Sequence, residues 1–230
     1  MNRKSIRKQH FVLLELAVVA VCAVLLTAML RAVVGSAWVQ ARGTECRAQM
    51  KVLAVGAHQY REGASILPCA VPVNGKTATW SGLLANGKFV SQKVYACPAR
   101  KSWGNQAFAK PDVPDAANNR WLYPDYGVTY FVTGTPLNKV AAPAEKLWFG
   151  ETMNGPEKGD PLQQIGFYRI SDFGYLSSGG WGNVVPIHNL SANLVWFDGH
   201  ASSMEANLPG VQGGKYLMGK LKAAKALTVR

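Results

Sequence analysis

The first forty positions divide into a basic block and an apolar one. Arg3, Lys4, Arg7 and Lys8 precede Phe11-Val-Leu-Leu-Glu15; the fifteen residues from Leu16 to Leu30 then carry no charge, and an apolar stretch follows Arg31 as far as Val39. A bilayer core of roughly 30 Å takes about 20 helical residues, so the run from Phe11 to Val34 predicts a transmembrane helix that must accommodate Glu15 and Arg31. Arg31 lies about one turn from the end of the run and can carry its charge to the interface. Beyond Gly35-Ser36, which offers a bend, Cys46, Met50, Leu53, Ala57 and Tyr60 recur at helical spacing, while Arg47, Lys51 and His58 fall off that stripe. This is the pattern of a half-buried helix. Continuous from Phe11, it would run about 50 residues, or roughly 75 Å, its first half in lipid and its second half packed on a globular domain.

From Gly63 the texture changes to short segments punctuated by Gly, Pro and Asn, as in antiparallel sheet with long loops. Lys93 to Pro98 reads as a short strand ending at a turn. Tyr126 to Val132 and Lys146 to Gly150 are rich in aromatic and β-branched residues and also read as strands. Lys101 to Asn119 reads as an exposed loop. Asp198-Gly199 predicts a two-residue hairpin turn in which Phe197 pairs with His200 and Trp196 with Ala201. The predicted class is α+β, one long N-terminal helix packed on a small antiparallel sheet. Its parts are a basic leader (1–10), the transmembrane half of the helix (11–36), its amphipathic half (37–62), a β-rich domain (63–214) and a basic tail (215–230). In that tail Leu217, Leu221 and Ala224 share one side among lysines.

Glu15 decides what kind of anchor this is. A secretory signal peptide does not normally place a carboxylate among its first apolar residues, and an ordinary anchor avoids one near the bilayer centre, where it costs about 2.5–3.5 kcal/mol on insertion scales; a plain signal anchor with Glu15 near the cytoplasmic interface is the other reading. The carboxylate needs a partner. Arg3-Lys4, Arg7-Lys8, Phe11-Val-Leu-Leu-Glu15 and the following alanine/valine/leucine helix resemble a type IV prepilin leader. That resemblance implies cleavage between His10 and Phe11 by a prepilin peptidase, methylation of the new amine, and pairing of Glu15 with the terminal amine of a neighbouring pilin-like subunit. His10 stands where the family usually has Gly. At the other end, His188, nine intervening residues and Asp198-Gly199, followed by His200, resemble the prepilin-type processing-associated signature. Cys46 with its helix, Trp80, Tyr95 to Pro98, Tyr126-Gly127 and Leu147 to Glu151 fall in the order found in such proteins. The implied fold is pilin-like. The implied location is a bacterial inner membrane, crossed once with a cytoplasmic N-terminus and an extracytoplasmic domain; the basic leader agrees by the positive-inside rule. The implied role is a structural subunit of a filament or secretion apparatus rather than an enzyme.

Charge and cysteine content refine this picture. Lys and Arg number 25 against 13 Asp and Glu, a formal charge of +12. Four basic residues sit in the leader and Lys215, Lys220, Lys222, Lys225 and Arg230 in the tail, so the middle is only mildly basic and no nucleic-acid partner is expected. Cys22 lies in the apolar run; Cys46, Cys69 and Cys97 lack paired Cys-x-x-Cys spacing, and in an exported domain one disulfide among these three can form. No cofactor is expected. Ser177-Ser-Gly-Gly180 is not a nucleophile elbow, and neither a phosphate loop nor a His-Glu-x-x-His helix occurs. Two other functions stay open: a signal-anchored extracytoplasmic binding module that takes polysaccharide or another cell-envelope ligand on exposed aromatics such as Trp80, Trp103 and Trp121, and an anchored enzyme holding a metal through His188, Asp198 and His200.

Overall fold

A computed structural model describes residues 3–60, 66–73, 76–100, 124–130, 136–153, 166–170 and 182–205. The expectations for the 101–119 loop, Trp103, Trp121 and the 215–230 tail lie outside these residues. The fold is α+β: a long N-terminal helix precedes a small mixed sheet. The chain divides into two compact units, Met1–Ala41 and Arg42–Arg230.

Helix α1 (Arg3–Gln59) is 57 residues long and passes through Gly35-Ser36 without a break. Within the first unit its stretch 16–30 carries no charge and is exposed on every side. Leu16, Val19, Val24, Met29, Leu30 and Val33 are each more than 60% exposed. The helix is long and apolar enough to cross a membrane.

In the second unit the predicted stripe becomes the core. Cys46, Met50, Leu53 and Ala57 are buried, and Tyr60 packs against the same cluster. Gly56 lets the chain at Phe89-Val90 approach closely, since a Cβ there would meet Val90 Cγ1 at 2.4 Å.

Strands β1 (Ala70–Val73) and β2 (Lys76–Thr79) pair antiparallel. Helix α2 (Trp80–Asn86) follows, capped by Thr79 Oγ1, which accepts from Gly82 N–H. The Lys93–Pro98 strand expected from sequence is instead a 3₁₀ turn at Gln92–Tyr95. Among the described residues no strand pairs with it, and its geometry serves Tyr95, whose buried hydroxyl donates to Ser81 O at 3.1 Å.

The main sheet runs β5-β3-β4-β7-β8, with β6 also on β4. Its strands are β3 (Tyr126–Thr129), β4 (Leu147–Met153), β5 (Arg169–Ile170), β6 (Asn183–Val184), β7 (Ser191–Trp196) and β8 (Ala201–Glu205). Among the described residues the expected antiparallel pattern has one exception, since the two-residue β5 lies parallel to β3.

Period-two alternation sends Tyr126 and Val128 of β3, and Val195 with Phe197 at the end of β7, into the core that holds the α1 stripe. Ala192, Leu194 and Trp196 join Leu147, Ile170 and Val184 in a second cluster. A register irregularity between Leu147 and Phe149 lets Trp148 and Phe149 both enter the first core. Trp148 stacks on Phe197 at 5.3 Å and meets His58 edge-on at 4.8 Å.

The β7–β8 hairpin differs by one residue from the expected register. Val195 pairs with Ala201, Trp196 N–H donates to His200 O, and Gly199 N–H donates to Trp196 O. Asp198-Gly199 therefore closes a three-residue loop with Gly199 at a φ of 84°. Phe197 leaves the hairpin ladder because it is buried on Trp148 and its N–H donates to Lys146 O.

Candidate functional site

Four side chains from four separate segments meet inside the second unit. Cys46 comes from the buried stripe of α1 and Cys97 from the turn after Gln92–Tyr95. Glu151 lies on β4 two residues beyond Phe149, and the same alternation points it inward. His188 lies just before β7. All four are buried, and their ligand atoms lie within 4.8 Å of one another.

Glu151 Oε1 is the hub. His188 Nε2 and Cys46 Sγ each lie 2.7 Å from it, and Cys97 Sγ lies 3.8 Å away. Cys97 Sγ is also 3.5 Å from His188 Nε2. The second carboxylate oxygen accepts from Asn193 N–H at 2.8 Å. The Tyr126 hydroxyl lies 3.3 Å from Cys46 Sγ and 2.9 Å from Gln49 Oε1.

Local folding explains each placement. His188 is held by a tight two-residue hairpin: His188 N–H donates to Ser191 O and Ser191 N–H to His188 O, both at 2.9 Å. The two turn residues, Asn189 and Leu190, have φ of 47° and 62°, the left-handed values of a type I′ turn. Cys97 is fixed through its backbone, because Asp125 Oδ2 accepts Cys97 N–H at 2.8 Å. Asp125 Oδ1 in turn takes Arg100 Nη1 at 2.8 Å in a fully buried ion pair, while Arg100 Nη2 donates to Thr152 O.

Burial and mutual contact shift the titrations of the cluster. Burial pushes the Cys46 thiol well up, with Cys97 and Glu151 adding to the rise. The hydrogen bond with Cys46 leads in lowering the Cys97 pKa, against the opposing effect of burial. For His188, burial alone would lower the value; hydrogen bonds to Cys97 and Glu151 and the Glu151 charge outweigh it and push the pKa up to about 10. Burial is also the main cause of the raised Tyr126 pKa. The cluster thus combines thiol, carboxylate and imidazole donors on one point, a set suited to a divalent metal or to thiol chemistry.

The structure separates the residues that sequence grouped as a metal set. His188 enters the buried cluster at one end of β7, whereas Asp198 and His200 lie at the other end, a strand of six residues away; at about 3.3 Å per residue that is roughly 20 Å. Asp198 and His200 instead pair with each other, Oδ1 to Nδ1 at 2.6 Å, at a half-exposed hairpin tip. Trp80, expected as an exposed binding aromatic, is buried: as the first residue of α2 it packs on Tyr95 and Phe149 and donates its indole N–H to Tyr168 O. Cys46, Cys69 and Cys97 are free thiols here; Cys46 and Cys97 come together, while Cys69 is buried outside the four-residue cluster.

Glu151 was not singled out from sequence. Its signal is an acidic residue two positions beyond Phe149 in a strand with no other charge, a position that alternation turns toward the core. Comparison with protein-family models, curated proteins and solved structures gave no match to this chain.

Proposed function

We propose that the protein is a single-pass, membrane-anchored, pilin-like structural subunit, with the basic leader on the cytoplasmic side and the β-rich domain outside. The observation that carries this reading is one helix of two characters. Its first part is apolar and exposed on every side, and its Cys46–Ala57 part supplies a buried stripe to a folded domain.

A soluble protein would not leave so large an apolar surface uncovered. A cleaved signal peptide would not continue as a core helix of the mature domain. Glu15 at the entrance of the apolar run is then a point of subunit contact: its carboxylate pairs with the terminal amine of a neighbouring subunit once residues 1–10 are removed before Phe11. Resemblance of both chain ends to prepilin-type signatures supports this reading, and bacterial inner-membrane location, a prepilin peptidase and other pilin-like subunits come with it.

The test has two arms. Fractionation should place the full protein in membranes, resistant to alkaline extraction. Glu15→Ala should preserve insertion while reducing crosslinking between subunits through the N-terminal helix. Equal crosslinking by wild type and variant would remove the proposed role of Glu15.

A further inference from the structure

We propose that Cys46, Cys97, Glu151 and His188 form a structural zinc site that fastens the outer half of α1 to the β-rich domain. The first argument is the donor set. Two cysteine sulfurs, one imidazole nitrogen and one carboxylate oxygen are zinc ligands, and four protein donors make a closed, structural site with no open position for substrate.

Convergence is the second argument. In a tetrahedral site with bond lengths of about 2.0–2.3 Å, ligand atoms lie roughly 3.3–3.8 Å apart. Glu151 Oε1 lies 2.7 Å from Cys46 Sγ, 2.7 Å from His188 Nε2 and 3.8 Å from Cys97 Sγ, Cys97 Sγ lies 3.5 Å from His188 Nε2, and none of the four atoms lies more than 4.8 Å from another. An outward shift of the ligand atoms by less than an ångström, within the reach of side-chain rotation, accommodates the ion.

The third argument is electrostatic. Glu151 is 0% exposed, and a buried carboxylate must be paired. His188 is its ion-pair partner, and the neighbouring buried cation, Arg100, is engaged with Asp125 and Thr152. A divalent ion at the point where the four donors meet offsets two of the three negative charges of the carboxylate and the two thiolates. On binding, both cysteine sulfurs ligate as thiolates and His188 Nε2 as a neutral imidazole, and the protons of all three pass to solvent.

The shell around the donors is also suited to a metal. Asn193 N–H holds Glu151 Oε2 and leaves Oε1 turned to the centre. The Tyr126 hydroxyl lies against Cys46 Sγ, where it can donate to a thiolate. A disulfide between Cys46 and Cys97 would be the other use of these thiols. It would leave Glu151 buried with only His188 and the Asn193 N–H as partners, although both sulfurs now converge on Glu151 Oε1.

The experiment uses the full chain purified from membranes in detergent. Elemental analysis after gel filtration should find stoichiometric zinc; His188→Ala and Cys97→Ser should lose it, while Asp198→Ala, at the distant hairpin tip, should keep it. Because the ligand variants can fail to fold, the wild-type protein provides the second arm. It is stripped with a chelator, its thermal midpoint should fall, and Co(II) added back should give intense tetrahedral bands with thiolate-to-cobalt charge transfer. Two results would overturn the site: metal-free protein whose mass is lower by the two hydrogens of a Cys46–Cys97 disulfide, or a cobalt spectrum without thiolate bands.

Discussion

Leu190 has a φ of 62° and is 56% exposed, a combination that places backbone strain on a side chain with little packing to offset it. An L-residue in this region costs about 1–2 kcal/mol, part of which glycine would give back through lost chain entropy. Leu190→Gly should therefore raise stability by roughly 0.5–1 kcal/mol in a denaturant titration; a loss of stability would show that Leu190 packing outweighs the strain. Asp125 is the opposite case, since its carboxylate satisfies both the Arg100 guanidinium and the Cys97 amide. Asp125→Ala leaves a buried cation uncompensated and should cost about 3–5 kcal/mol, measured by tryptophan fluorescence during unfolding. At this scale the sequence was legible where a residue broke its local pattern, as Glu15 does in the apolar run. It was silent where meaning comes from contact: Cys46, Cys97, Glu151 and His188 are spread over more than 140 positions, and only the fold brings them together.

The β7–β8 hairpin shows how elements are read well in kind and less well in register. Asp198-Gly199 announces a turn, but two-residue and three-residue loops share that signature, and the choice falls to Phe197, which is drawn onto Trp148 and out of the hairpin ladder. Phe197→Ala should cost about 3–5 kcal/mol, the range for deleting a buried aromatic, in the same unfolding measurement; a change below about 1 kcal/mol would mean that the stacked pair does not hold the strand end. The helix stripe was legible in full because α1 supplies a long, regular period. His58 lies beside that stripe, half-buried with its ring against Trp148. Burial lowers its pKa from the ordinary value, so the folded state favours neutral His58. Its contribution to stability is present above the unfolded-state pKa and is lost as pH falls through the lower folded value. His58→Gln should flatten the stability profile on the acid side of the ordinary histidine range, and an unchanged slope would place that dependence elsewhere.

For the whole molecule, the two units face different demands. Met1–Ala41 carries an exposed apolar stretch long enough to cross a membrane, whereas Arg42–Arg230 encloses its own core. The α+β class follows from reading a 3.6-residue period before Glu62 and a shorter, punctuated texture after it. The parallel pairing of β3 with β5 could not be read that way, because β5 has two residues and no period of its own. The proposed role joins the two units: an apolar helix held in the membrane, passed to neighbouring subunits through Glu15, with the folded domain displayed outside. That account turns on processing before Phe11, where His10 replaces the usual glycine. Intact-mass analysis of the protein purified from membranes tests it most directly. The account predicts a chain that lacks residues 1–10, begins at Phe11 and carries a methyl group on its terminal amine; a chain that still begins at Met1 would contradict it.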